Sequence, residues 1–295
     1  MTPEETVALN KLLSENKIYG FYKERNEAHP DFRMPNPPQV ALLEAWKDPT
    51  KKVFTFSGGN RLGKTTIGTI IAISIMCGEW PWSGEKIPFP HKKARRVKYV
   101  GQGWESHIKL VLIPKLEEWW PQARPVEKKK NNQGVDAFWK DKKTGSTLEI
   151  MSNNQESREM EGPDHDLVIY DEPPKRDNRV ACARGLVDRL GRELFCMTLV
   201  SEAWVSREVI KKRLPNGEPD LSVFNVKGKI YDNLGYGLTQ EGIDQFASTL
   251  KDTERKARLD GDPAYLSSLV FPKFDRDQHV KEPFKIPLDW IVDFH

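Results

Sequence analysis

The most specific chemistry in this sequence lies in the eight-residue run Gly58-Gly59-Asn60-Arg61-Leu62-Gly63-Lys64-Thr65, which satisfies G-x-x-x-x-G-K-[ST] at every fixed position. Glycines there let the backbone wrap phosphate oxygens, and the N–H groups at the start of the following helix aim partial positive charge at them. Lys64 reaches the β- and γ-oxygens, and the Thr65 hydroxyl ligates Mg2+. The run from Gly58 to Thr66 is thus a candidate cradle for the phosphates of a nucleoside triphosphate. Hydrolysis at such a cradle needs a carboxylate for the metal shell and another group to polarise water, both at the tip of a neighbouring strand. The apolar run Leu167 to Tyr170 ends on Asp171 and Glu172, which supply them: Asp171 with Thr65 for the cation, Glu172 for the water. Pro173 and Pro174 prevent a direct run into helix and keep both carboxylates at the strand tip. Thr198, near the end of the next apolar run, is placed to sense the γ-phosphate and relay its state. Ser201 is the other hydroxyl near that edge, and capping of a strand or helix is the plain alternative for each.

These residues need a scaffold, and the sequence alternates strand-like with helix-like segments in the manner of an α/β domain with a mainly parallel sheet. Strands are expected at Val53 to Ser57, Arg96 to Gly101, Val135 to Lys140, Ser146 to Ser152, Leu167 to Tyr170 and Leu194 to Val200. The continuously apolar ones imply burial on both faces. Helices are expected from the phosphate loop through Cys77 and around Glu105 to Trp120. Between the third and fourth strands, Gly145 supplies the positive φ of a tight turn. After Trp204 the texture turns charged and helix-like, over Arg207 to Arg213 and Thr239 to Asp260, which reads as a smaller appended lid. Val270 to His295 reads as an extended, proline-bearing connector that ends in a new strand.

Composition sets outer bounds. The chain has 295 residues, 38% hydrophobic and 30% charged, enough for one large domain or two modest ones. Lys and Arg number 46 against 43 Asp and Glu, a formal net charge of +3, which excludes strong bulk attraction to nucleic acid or anionic lipid but not local patches. Three scattered cysteines, Cys77, Cys182 and Cys196, form neither a disulfide framework nor a zinc ribbon and point to a reducing compartment. The first ten residues are polar and lack the apolar segment of a signal peptide, and no apolar run approaches the roughly 20 residues that span a bilayer. No membrane association is expected.

Taken together, the motifs resemble the ATPase domain of the large terminase subunit of tailed bacteriophages. The phosphate loop, SRE-x-EGPDHDLVIYDEPP, TLVSEAW, YDNLGYG, ERKARLDGDP and LVFPKFDRDQHVKEPFKIPLDWIVDF follow that family's order of segments over nearly the whole chain. The resemblance implies an ASCE-type P-loop fold with a small lid, in which ATP and Mg2+ are bound and hydrolysis drives double-stranded DNA into a procapsid. It implies a packaging ATPase domain over 1–275, with an adenine-side segment at 1–50, a P-loop core at 51–204 and a lid at 205–275. Residues 276–295 would then be a linker and the first strand of a nuclease domain. It also implies Gln39, in NPPQVALLEAW, as the base-reading residue; an ordinary exposed helix-start Gln is the alternative. Arg61, inside the loop, would reach the γ-phosphate or a neighbouring acidic group. Arg158 would be an arginine finger offered to the adjacent subunit, unless it is a surface residue paired with Glu156 or Glu161. Asp293 stands where the family has the first metal-binding Asp of its nuclease, but one strand cannot build a two-metal site, so no nuclease activity is expected of these residues. The segment after the TLV strand lacks the family's usual Thr-x-x-Pro ending.

The partners implied are double-stranded DNA, a small terminase subunit and a portal protein, with the chain monomeric alone and gathered into a homo-oligomeric ring on the portal. The implied location is the cytoplasm of the infected bacterium, with transient docking on the procapsid. Four basic clusters are candidates for phosphate contact: His91 to Arg96, Lys128 to Lys130, Lys140 with Lys142 and Lys143, and Lys211 to Arg213. A different P-loop translocase or helicase, or a module that binds ATP without turnover, are the competing readings.

Overall fold

The computed structural model describes residues 2–24, 33–89, 94–200 and 202–263. In chain order the elements are α1 (Pro3–Glu15), α2 (Pro37–Ala45), β1 (Val53–Gly58), α3 (Lys64–Cys77), β2 (Arg96–Gly101), a π-helical segment (Trp104–Leu112) running into α4 (Ile113–Trp119), β3 (Val126–Lys130), β4 (Asp136–Asp141) and β5 (Thr147–Ser152). There follow α5 (Ser157–Met160), β6 (Leu167–Asp171), α6 (Arg176–Arg184), β7 (Arg192–Met197), β8 (Val223–Gly228), α7 (Gln240–Ser248) and α8 (Asp252–Arg258). Asp293, the 270–295 connector, the end of the expected lid, Ser201 and the first residues of the basic run at 91–93 lie outside the described residues.

The strands form one eight-stranded sheet in the order β3-β4-β5-β2-β6-β7-β1-β8. From β5 to β8 every pairing is parallel, and β3 and β4 extend one side as antiparallel strands. β7 is inserted between the phosphate-loop strand β1 and the acidic strand β6. That order places the tips of β1, β7 and β6 side by side, so the ends of three strands can share one ligand.

Alternation along the central strands splits their side chains between two cores. Phe54, Phe56, Leu167, Ile169, Leu194 and Cys196 join Ile67, Ile70 and Ile71 of α3 on one face. Val53, Val168, Tyr170, Phe195 and Met197 join Ala181, Cys182 and Trp204 on the other. Burial on both faces is why these strands read as unbroken apolar runs. α3 packs against β1, β2, β5, β6 and β7, which anchors the helix that begins at Lys64. No helix among the described residues is long and apolar enough to cross a membrane.

Several boundaries differ from the sequence expectation. β7 runs from Arg192 to Met197 rather than from Leu194 to Val200, so Thr198 is the first residue past the strand. The expected helix at Glu105 to Trp120 is π-helical through Leu112 and α-helical beyond; Pro114, which has no N–H to donate, sits at the change. Arg207 to Arg213 gives only a short π-helical turn at Ser206–Ile210, and Thr239 to Asp260 divides into α7 and α8. The sequence pattern does not announce β3 or β8. Both are edge strands with mixed exposure, so neither carries the apolar run of a central strand, and lysines on β3 suit an edge that must not pair further. Because β8 pairs with β1, part of the segment expected as an appended lid after Trp204 belongs instead to the central sheet. Gly145 has φ 75°, as its turn requires.

Candidate active site

The phosphate loop leaves β1 at Gly58 and enters α3 at Lys64. Lys64 is buried, and its ammonium donates to the carbonyl oxygens of Gly58 (3.2 Å) and Gly59 (2.7 Å). Burial pushes its pKa down, opposed by the charges of Glu172 and Asp171. Arg61 has φ 60°, a left-handed conformation that a non-glycine residue holds at a cost of roughly 1–3 kcal/mol, and its side chain is exposed.

Several residues far apart in sequence hold this loop. Asn36, the N-cap of α2, donates to Leu62 O (3.0 Å), and Gln39 donates to Gly63 O (3.1 Å) while its own oxygen accepts from the Asn36 N–H (3.1 Å). Asn233 donates to Arg61 O (2.7 Å) and accepts from Asn36 (3.2 Å). The Gly59 N–H bonds Gly228 O at the end of β8, and the Asn60 N–H bonds Arg258 O at the end of α8. The Leu62 side chain, fully buried, packs against the tight space at Gly58 and Gly228. Gln39 therefore clamps the loop, and this function was not legible in its sequence context.

At the neighbouring strand tips, Asp171 is 1% exposed. Its Oδ1 accepts from the Thr65 hydroxyl (3.1 Å), and its Oδ2 accepts from the Tyr99 hydroxyl (3.3 Å) and lies 3.3 Å from His107 Nε2. His107 is a residue that sequence reasoning missed, since a lone His on a helical segment matches no motif. Burial pulls its pKa down, but the bond to Asp171 and that carboxylate's charge outweigh it, and the net shift is upward. Glu172, one residue on, has φ 76°, and its N–H donates to Cys196 O (2.8 Å). That backbone turn aims its carboxylate across to β7, where the Thr198 N–H (2.7 Å) and hydroxyl (3.2 Å) donate to its two oxygens. Burial raises the Glu172 pKa, while Lys64 and Thr198 draw it down; the net shift is upward. The chain reaches α6 only at Arg176, beyond both prolines.

Between these elements lies a cleft of about 590 Å3, within the range of small-molecule sites. Asn60, Arg61, Gly63, Lys64, Thr65 and Thr66 line it, with Gln39, Glu172 and Thr198. Gly58, Gly59 and Leu62 support the loop from outside that lining. Thr65 and Asp171 offer hard oxygen donors side by side, which suits Mg2+. Among the described residues no group of three or more His, Cys, Asp or Glu side chains is arranged to hold a metal. A cation here would therefore depend on phosphate oxygens and water for its other ligands, as Mg2+ in phosphate-transfer sites does.

Arg158 does not join this cleft. It is 81% exposed on α5 and pairs with Glu156 at 2.7 Å. The basic clusters are also separate from it. Lys128 pairs with Glu117 (2.9 Å) and lies over the Trp139 ring, Lys129 pairs with Glu127 (3.6 Å), and Lys130, Lys140, Lys142 and Lys143 are exposed. Lys212 pairs with Asp220 (2.8 Å), and Arg213 donates to Gly217 O (2.7 Å).

No protein-family model matches this sequence, and no curated protein does. Solved structures do. The large terminase of a thermophilic bacteriophage superposes with a TM-score of 0.59 at 17% identity, over 84% of this chain and 59% of that one. A structure of that terminase in complex with ADP gives a TM-score of 0.58 at 17% identity, with the same coverage of both chains. A mutant of the large terminase ATPase domain from Thermus phage P74-26 gives 0.56 at 13% identity, over 78% of this chain and 94% of that one. The chain thus spans 59% of the length of the first two and nearly all of the third. At these identities the likeness is one of fold, and the mainly parallel P-loop sheet described above is the fold of the large-terminase ATPase domains.

Proposed function

We propose that this chain is an ATP-hydrolysing motor domain of the large-terminase kind, which couples turnover to movement of double-stranded DNA into a procapsid. The observation that carries this reading is the Glu172 carboxylate, fixed at both oxygens by Thr198 and facing the cleft that Lys64 and Thr65 also line. A module that only bound nucleotide would have no use for a partly buried carboxylate held in that position at the expense of a left-handed backbone.

In this account the phosphates of ATP lie along the loop from Asn60 to Thr66, with Lys64 on the β- and γ-oxygens and Arg61 at the rim. Gln39 adjoins the base and clamps the loop. Thr65 and Asp171 would hold Mg2+, which would supply compensation for the charge that develops on the phosphoryl oxygens. Glu172 orients and polarises the attacking water, and Thr198 reports the state of that carboxylate to the chain beyond β7. Arg158, exposed and away from its own cleft, is available to a neighbouring subunit. A finger supplied in trans contributes roughly 10³ to 10⁵ in rate. Exposed lysines on β3, β4 and the turn that follows supply sequence-independent contacts to DNA phosphates. A ring of copies on a portal, a small terminase subunit as partner and a site of action in the infected cell's cytoplasm complete the reading.

The test is phosphate release from ATP with and without double-stranded DNA, for wild type and Arg158→Ala, at concentrations that permit assembly. DNA-stimulated release that Arg158→Ala loses supports the motor. Absence of ATP hydrolysis under every condition would overturn it.

A further inference from the structure

Asp171 is pinned from two sides. Thr65 occupies Oδ1, and the opposite oxygen is met by the Tyr99 hydroxyl and His107 Nε2, each 3.3 Å away. The imidazole arrives there by a specific construction. β2 runs parallel to β6 as its neighbour, so the chain that leaves β2 at Gly101 passes the tip where Asp171 sits. Its next segment winds as a π-helix, and both the His107 and Ile108 N–H groups return to Gly103 O (3.2 and 2.9 Å). π-Helical turns often occur at functional sites. Gly101 leaves the room: a Cβ there would lie 2.6 Å from Ile108 Cγ1 and 3.0 Å from His107 Nδ1. That Nδ1 is buried and has no hydrogen-bond partner among the described residues, so the Asp171 contact is the polar contact the ring makes. The ring lines the cleft and its side chain is 18% exposed.

We propose that His107 is a positioning residue, which holds the Asp171 carboxylate at Oδ2 so that its other face is directed at a divalent cation bound with nucleotide at Thr65. The inference rests on the Mg2+-nucleotide reading above. A carboxylate free to turn about its Cβ–Cγ bond would lose the lone-pair direction that a cation or its water needs. Two donors behind Oδ2 remove that freedom without competing for the cation. Partners in this outer position commonly govern metal affinity or activity by 10–100-fold when removed.

The test is the affinity of a fluorescent ADP analogue in EDTA and in saturating Mg2+, which reads metal coupling without turnover. Wild type binds more tightly with Mg2+. His107→Leu reduces that tightening by about tenfold or more while the affinity in EDTA stays close to wild type. His107→Gln, whose amide N–H reaches a similar point, recovers most of it. An unaltered ratio in His107→Leu would overturn the assignment. Equal losses with and without Mg2+ would also overturn it, by making His107 a packing residue of the cleft. A wild-type protein with no Mg2+ dependence would instead remove the Mg2+-nucleotide reading itself, and the inference with it.

Discussion

Thr198 donates its backbone N–H to one oxygen of Glu172 and its hydroxyl to the other, at 2.7 and 3.2 Å, across the gap between the tips of β7 and β6. A carboxylate must be ionised to polarise water, so turnover falls as pH drops through its pKa. Burial raises the Glu172 pKa, and the charge of Lys64 and both Thr198 bonds lower it. Thr198→Val keeps the N–H bond and removes the hydroxyl bond. The acid limb of the kcat profile therefore moves to higher pH, and kcat falls by about tenfold, the worth of one hydrogen bond to a charged group. A pH profile of steady-state phosphate release from pH 5 to 9 checks this; an acid limb that stays in place or moves down would contradict it.

α3 crosses the sheet closely at Gly68, where an added Cβ would sit 2.9 Å from the Tyr99 hydroxyl and 3.2 Å from Cys196 Sγ. Gly68→Ala gains about 1 kcal/mol of helix propensity and costs about 1–3 kcal/mol of overpacking. The expected net effect is a lower melting temperature and a displaced Tyr99 hydroxyl. Adding Tyr99→Phe removes the oxygen that clashes, so the double variant melts above Gly68→Ala alone. Thermal melts of the single and double variants decide the matter, and a Gly68→Ala protein as stable as wild type would show that the helix can lift without cost.

Asn233 links Arg61 O of the phosphate loop to Asn36 at the head of α2, 2.7 and 3.2 Å away. Its side chain lies at the rim, so Asn233→Ala leaves global stability within about 0.5 kcal/mol. The loop it holds carries Arg61 in a left-handed conformation and loosens when the tie is cut. ATP affinity falls by about tenfold, in line with the loss of one hydrogen bond between neutral groups. Titration with a fluorescent ATP analogue and a urea melt separate the two effects. Weakened stability with unchanged affinity would contradict the assignment.

Lys64, Thr65, Asp171 and Glu172 were legible in the sequence because each belongs to a short local pattern that the strand-loop-helix and strand-tip contexts make meaningful. The doubly covered strands were legible for the same reason: burial on both faces writes itself as an apolar run. Residues that act by crossing the fold left no such trace. Asn233 meets the phosphate loop 172 positions away in sequence, and nothing around it in DNLGYG points to that partner. His107 reaches Asp171 only because a π-helical turn follows Gly101, and helical periodicity alone does not place it there. Edge position hid β3 and β8, since a strand with one neighbour and one open side need not be apolar. Gln39 shows a further limit: a position found by resemblance proved to have a structural partner, Gly63 O, that the resemblance did not include.

The central claim, that the paired carboxylates at the tip of β6 make this cleft hydrolytic, is tested most directly by Glu172→Gln. The amide keeps the shape of the side chain but cannot act as a base. Phosphate release in a single-turnover experiment, measured beside ATP affinity on the same protein, should fall by about 10² to 10⁴-fold with binding retained. Release at the wild-type rate from Glu172→Gln, with ATP bound, would contradict the account.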